Sequence, residues 1–197
     1  MKKANNFIGI LFIALSLQAC TKKLNAEQYL IWCQQEENGL RVSKEMFPFV
    51  FTLQYKSPEY IMAVNQKNET TTTQQQQQLM FNFLIKAMDG KTNPVMSSSN
   101  GQNTYEIIER FNNNGNEDFK LIIAKDTFDC SFCHLEYNYG VAPLNTVVLS
   151  FEVPQLPETY YQHDWLLQYD DKVFNTGLIS IKIKQKHLQT LNSVKLI

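Results

Sequence analysis

Hydrophobic positions along the chain fall into three patterns. Residues 7–17 form one apolar run, broken only by Gly9 and Ser16. That length suits the core of an export signal and is short for a bilayer span. Further on, Ala26, Tyr29, Leu30 and Cys33 recur at helical spacing, with Asn25 placed as N-cap, Gln28 three residues on, and Asn38-Gly39 where a left-handed stop is wanted. Phe49, Phe51, Leu53 and Tyr55 then alternate with Val50, Thr52 and Gln54, the signature of a half-buried strand. Ser57-Pro58 opens a second helix with an apolar face of Tyr60, Ile61 and Val64. Residues 79–88 read as a third helix, stopped by Asp89-Gly90. Residues 104–111 fit either strand or helix, and Asn112 to Gly115 reads as a turn.

Beyond that point the period is two. Phe119, Leu121 and Ile123 alternate, as do Val147, Leu149, Phe151 and Val153, then Trp165, Leu167 and Tyr169, then Ile179, Ile181 and Ile183. Asp170-Asp171 and Asn175-Thr176-Gly177 read as turns. Residues 68–78 are low-complexity Thr and Gln, and residues 91–103 are a polar loop. The expected fold class is α+β: helices mainly in the N-terminal half, and an antiparallel meander or sandwich-like sheet in the C-terminal half. No repeat or linker divides residues 25–197, which are expected to form a single domain.

The first twenty residues carry a more specific message. Lys2 and Lys3 precede the apolar run, and the run ends in Leu17-Gln18-Ala19-Cys20, a lipobox pattern. Residues 1–19 are therefore expected to be a lipoprotein signal peptide, Cys20 the lipid attachment site, and residues 20–24 the lipidated cysteine and a short tether. The thiol takes a diacylglyceryl group, and cleavage frees an amine for a further chain such as palmitate. Each buried methylene contributes about 0.8 kcal/mol, so two or more chains hold where one does not. An ordinary cleaved signal with an incidental Cys20 is the alternative. Thr21-Lys22-Lys23-Leu24 lacks an aspartate directly after the cysteine, so the expected location is the outer membrane, facing the periplasm.

Composition narrows the partners. Formal net charge is −1 and the lysines are scattered, so no basic patch supports nucleic-acid binding. There is no Gly-x-Ser-x-Gly elbow, phosphate-cradling glycine loop or His-Glu-x-x-His.

The sharpest chemical motif is Cys130-Ser131-Phe132-Cys133-His134. Cys-x-x-Cys-His resembles a c-type haem attachment, with a sixth ligand drawn from Met46, Met62, Met80, Met88, Met96, His163 or His187. The same thiols fit a redox pair. They also fit a structural disulfide, between Cys130 and Cys133 or from one of them to Cys33. His134 and Glu136 share a face on a strand and, with the cysteines, offer a partial zinc set. No metal or cofactor is expected beyond these readings.

One segment carries a resemblance. Trp32, Glu37-Asn38-Gly39-Leu40, Ser43-Lys44-Glu45-Met46, Phe51 and Leu53-Gln54-Tyr55-Lys56-Ser57-Pro58-Glu59-Tyr60 resemble a family of envelope lipoproteins of Gram-negative bacteria. Ser57 is an insertion relative to that pattern. The resemblance implies a location and a fold, and no activity. The expectation is a lipid-anchored, non-enzymatic binding or assembly module for a protein partner in the cell envelope. The alternative is a periplasmic redox or haem protein built on Cys130, Cys133 and His134.

Overall fold

The computed structural model describes residues 22–67, 78–97, 103–153 and 157–197. Residues 1–19, expected as a signal peptide, Cys20 and nearly all of the Thr/Gln tract lie outside the described residues.

Eight strands form one antiparallel sheet in the order β2 (Arg41–Met46), β3 (Phe49–Lys56), β4 (Gln78–Ala87), β7 (Leu144–Glu152), β6 (Asp126–Glu136), β5 (Phe119–Ile123), β8 (Trp165–Asp171), β9 (Gly177–Ile183). The sheet curls on itself. Tyr55 of β3 meets Trp165 of β8 with ring centroids 5.0 Å apart, Phe51 meets Tyr169 at 6.4 Å, and Phe83 of β4 meets Phe119 of β5 at 5.2 Å. None of these strands are neighbours in the sheet, so the contacts cross its interior. Lys44 Nζ of edge strand β2 donates to the Ser180 carbonyl of edge strand β9 at 3.3 Å. The result is an open barrel whose lumen is filled by side chains, as eight strands allow.

The connections sort to two ends. At the helical end stand α1 (Ala26–Gln34), α2 (Pro58–Lys67), α4 (Gln185–Leu191) and a separate parallel pair, β1 (Lys22–Leu24) with β10 (Val194–Leu196). At the turn end lie the β2–β3, β6–β7 and β8–β9 turns and residues 88–97. Phe49 against Phe174, 4.8 Å between centroids, brings the β8–β9 turn to that end. α3 (Thr104–Glu109) runs on into a π-helical turn at 110–114 and a 3-10 turn at 115–118 that flank β6.

Local signals shaped the helix starts as expected. The Asn25 side chain accepts from the Gln28 N–H at 2.9 Å, and Gln28 returns the bond to the Asn25 N–H at 3.2 Å. Ser57 Oγ accepts from the Tyr60 N–H at 3.1 Å. Gly39 takes φ +70, and a Cβ there would lie 2.1 Å from His187 of α4. Only glycine fits that spot.

The fold is α+β, with two corrections to its distribution. Residues 79–88 form strand β4, not a helix. Leu79, Phe81, Phe83 and Ile85 face the core, while Met80 and Leu84 are half-buried on the other face. Apolar residues on both faces of a strand blur its alternation, so the period of this segment is not legible in the sequence. Helices are also not mainly N-terminal: α4 lies near the end of the chain, before β10, and β2 to β4 lie in the first half. Residues 22–24 are not a free tether but strand β1. Residues 112–114 continue the helical turn rather than making a loop.

Candidate functional site

Cys130 to His134 lies inside β6, where the strand carries a bulge. Cys130 stands opposite Phe151 and Phe132 opposite Ser150, so β6 advances two residues for one on β7. Ser131 is the extra residue, and its hydroxyl donates to the Ser150 carbonyl at 3.0 Å. In a regular strand, positions three apart face opposite ways. The bulge turns both Cys130 and Cys133 inward, and both are buried. Phe132, His134 and Glu136 then point outward and are exposed, with the Phe132 and His134 rings stacked at 6.1 Å.

This geometry separates the motif's parts. A haem bound by two thioethers and the adjacent imidazole needs all three side chains on one side. Here the thiols face the core and the imidazole faces away. The expected His134–Glu136 pairing holds, but the cysteines do not join it. Among the described residues, no group of three or more His, Cys, Asp or Glu is placed to hold a metal ion. The side chains weighed as a sixth ligand are spread over both ends: Met46, Met88 and Met96 at the turn end, Met62, Met80, His163 and His187 at the helical end.

Burial also disfavours the thiolate form of all three cysteines. Burial pushes the Cys130 thiol up to about 11 and the Cys33 thiol up to about 12. Burial raises Cys133 further, with the neighbouring Cys130 and Asp118 adding to it. Such thiols stay protonated near neutrality, and it is the thiolate that reacts. Cys33, Cys130 and Cys133 are all free, so the expected disulfide is not formed in this structure. Cys133 Sγ instead fills the space beside Gly115, where an added Cβ would lie 2.7 Å from it. Cys33 sits in α1 beside Tyr29 and faces the core. Asp170 and Asp171, expected as a turn, are instead the last residues of β8, paired with Leu178 and Gly177, and the Asp171 side chain holds the turn that follows. Its buried carboxylate accepts from the N–H groups of Val173, Phe174 and Thr176 at 2.9, 2.8 and 2.9 Å and from the Tyr169 hydroxyl at 3.0 Å.

Two features at the ends were not visible in the sequence. At the turn end, Phe47, Tyr139 and Val141 are 87%, 80% and 89% exposed, and Met88 and Met96 are also exposed. The turns that carry them are tied together. The Met88 N–H donates to the Pro48 carbonyl at 3.0 Å, Asn93 Nδ2 donates to the Ala142 carbonyl at 2.7 Å, and the Tyr137 hydroxyl meets Met96 Sδ at 3.2 Å. This end therefore carries large exposed apolar side chains on turns held together by hydrogen bonds. At the helical end, a cavity of about 260 Å³ is lined by Tyr55, Ser57, Glu59, Tyr161, Asn192 and Lys195. The Tyr29 and Ser57 hydroxyls bond at 2.9 Å beside it, and burial raises the Tyr55 and Tyr161 phenols. The only available signal for either feature was the alternation of strands with apolar turn residues such as Phe47-Pro48.

Comparison with known proteins finds no matching family model and no matching curated protein. A solved structure of a protein of unknown function from Burkholderia pseudomallei K96243 is similar over 87% of this chain and 96% of that one, at 10% identity and a TM-score of 0.38. A likeness of that size carries no argument about activity.

Proposed function

We propose that this protein is a lipid-anchored cell-envelope module that binds a protein partner and performs no chemistry of its own. The Leu17-Gln18-Ala19-Cys20 lipobox, the resemblance to envelope lipoproteins and the apolar rim support this reading. The rim is the observation that carries it. Phe47, Tyr139 and Val141 project at the turn end, and β1, which starts two residues after Cys20, joins the helical end. An anchor at one end leaves the opposite end facing the aqueous space. There, exposed aromatics are favourable only when a partner covers them.

The test has two parts. Radiolabelled palmitate should enter the wild type and not Cys20→Ala. A photo-crosslinking residue at Val141 should give a discrete adduct in intact cells, lost in Phe47→Asp, while the same residue at Lys120 on the barrel wall gives none. Equal crosslinking at both positions, or substrate turnover or bound haem in the purified lipidated protein, would sink the proposal.

A further inference from the structure

β1 is docked, not dangling. The Lys22 N–H donates to the Ser193 carbonyl at 2.8 Å, and the Ile197 N–H donates to the Leu24 carbonyl at 2.9 Å. Lys22 pairs with Val194, Lys23 with Lys195 and Leu24 with Leu196 in parallel register, and Leu24 and Val194 are buried. The described fold is thus already paired at Lys22, two positions after Cys20 in the sequence. Extended chain spans at most about 3.6 Å per residue, so about 7 Å separates the Cys20 and Lys22 Cα atoms at full stretch. That is shorter than the Debye length of about 8 Å at physiological ionic strength.

Lys22, Lys23 and Lys195 are all exposed on this pair, with Lys23 and Lys195 side by side in register. The elements packed against the pair are α1, α2 and α4. Their described charged side chains are Glu27, Glu59 and Lys186, and Glu59 is half-buried at the cavity. Four lysines thus face two carboxylates. Two like charges placed opposite one another weaken a strand pair, yet Lys23 and Lys195 occupy such positions.

We infer that the helical end lies flat on the bilayer that holds the Cys20 acyl chains, with Lys22, Lys23 and Lys195 against its anionic phospholipid headgroups. This rests on the reading of Cys20 as lipidated. Each lysine near an anionic surface contributes about a five-fold preference for contact. The three together bias the body toward one orientation instead of free rotation about the anchor. The turn-end rim is then held outward at a set height.

The experiment uses the mature lipidated protein reconstituted into phosphatidylcholine vesicles with or without phosphatidylglycerol. A fluorophore is placed through Gln189→Cys on α4 or Val141→Cys on the turn end, the native thiols being buried. Quenching by headgroup-borne nitroxide should be several-fold stronger at 189 than at 141 when phosphatidylglycerol is present. It should fall toward the level at 141 in Lys22→Gln/Lys23→Gln/Lys195→Gln, in high salt, and without phosphatidylglycerol. Palmitate on Cys20 is read in the same preparation. Equal quenching at both positions in palmitate-bearing protein overturns the inference and leaves the anchor standing. Absence of palmitate overturns both.

Discussion

The two ends of the barrel close over apolar surface differently. The helical end covers much of it with helices, while Ile31 of α1 and Met62 of α2 stay exposed. Tyr29, Trp32, Cys33, Ala63 and Leu188 are buried there, and the Tyr29 hydroxyl is paired with that of Ser57. The turn end exposes apolar side chains, on turns braced by backbone and amide hydrogen bonds. The contrast separates two uses of the same residue types. Where a helix or strand caps the lumen, aromatic side chains hold the fold together. Where only turns close it, the same kinds of side chain are free to meet another molecule, and the scaffold beneath them does not depend on them.

That contrast can be broken by substitution. The largest expected effect is in the lumen under the helical end. Trp165 touches Tyr55, Phe81 and Tyr161 at centroid distances of 5.0, 6.3 and 5.3 Å. Trp165→Ala should cost about 3–5 kcal/mol in urea unfolding. A loss below about 1 kcal/mol would mean that the sheet does not close over a packed interior. Gly39→Ala should be next, at about 1–3 kcal/mol, because φ is +70 and His187 occupies the Cβ position. Shortening the neighbour in Gly39→Ala/His187→Ala should recover the steric part and leave the backbone part.

The buried thiols give a pH test of the same interior. Their folded pKa values lie above the ordinary value near 9, with Cys130 at about 11. A raised acid pKa means that the folded state holds its proton more tightly than the unfolded chain does. This contribution is fully present below about pH 9 and is lost as pH rises through about 11. The urea midpoint should therefore fall on that alkaline side, and the fall should shrink in Cys130→Ala. Reaction with a thiol reagent at neutral pH should be limited by unfolding. The smallest expected effect on stability is at the rim. Phe47→Ser and Val141→Asp should change the unfolding free energy by no more than about 0.5 kcal/mol, yet remove the partner adduct. A large stability loss there would make the rim a structural element and erase the contrast.

Legibility followed the range of the interactions involved. The start of α1 was readable because Asn25 and Gln28 complete each other's hydrogen bonds within one turn. The same holds for Ser57 before α2. Strand β4 was misread because apolar residues stand on both its faces, Leu79, Phe81, Phe83 and Ile85 toward the core and Met80 and Leu84 on the half-covered outer face, which blurs the alternation. The Cys130 and Cys133 pair was visible as a spacing, but the spacing is ambiguous. A bulge at Ser131, set by register against β7, decides which face each side chain takes. Without that register the motif leaves the haem, redox and disulfide readings all open.

What the sequence alone determined is therefore local: the helix caps at Asn25 and Ser57 and the alternation of the late strands. Each depends on groups within a few residues of one another, so chain order is sufficient to specify it. The tertiary structure decided the rest. It turned the thiols inward and His134 outward, pinned residues 22–24 to the last strand, and gathered Phe47, Tyr139 and Val141 from separate turns onto one end. These outcomes depend on which strands pair and in what register. That pairing is set by the burial of one shared interior, to which residues from Leu24 to Val194 contribute together.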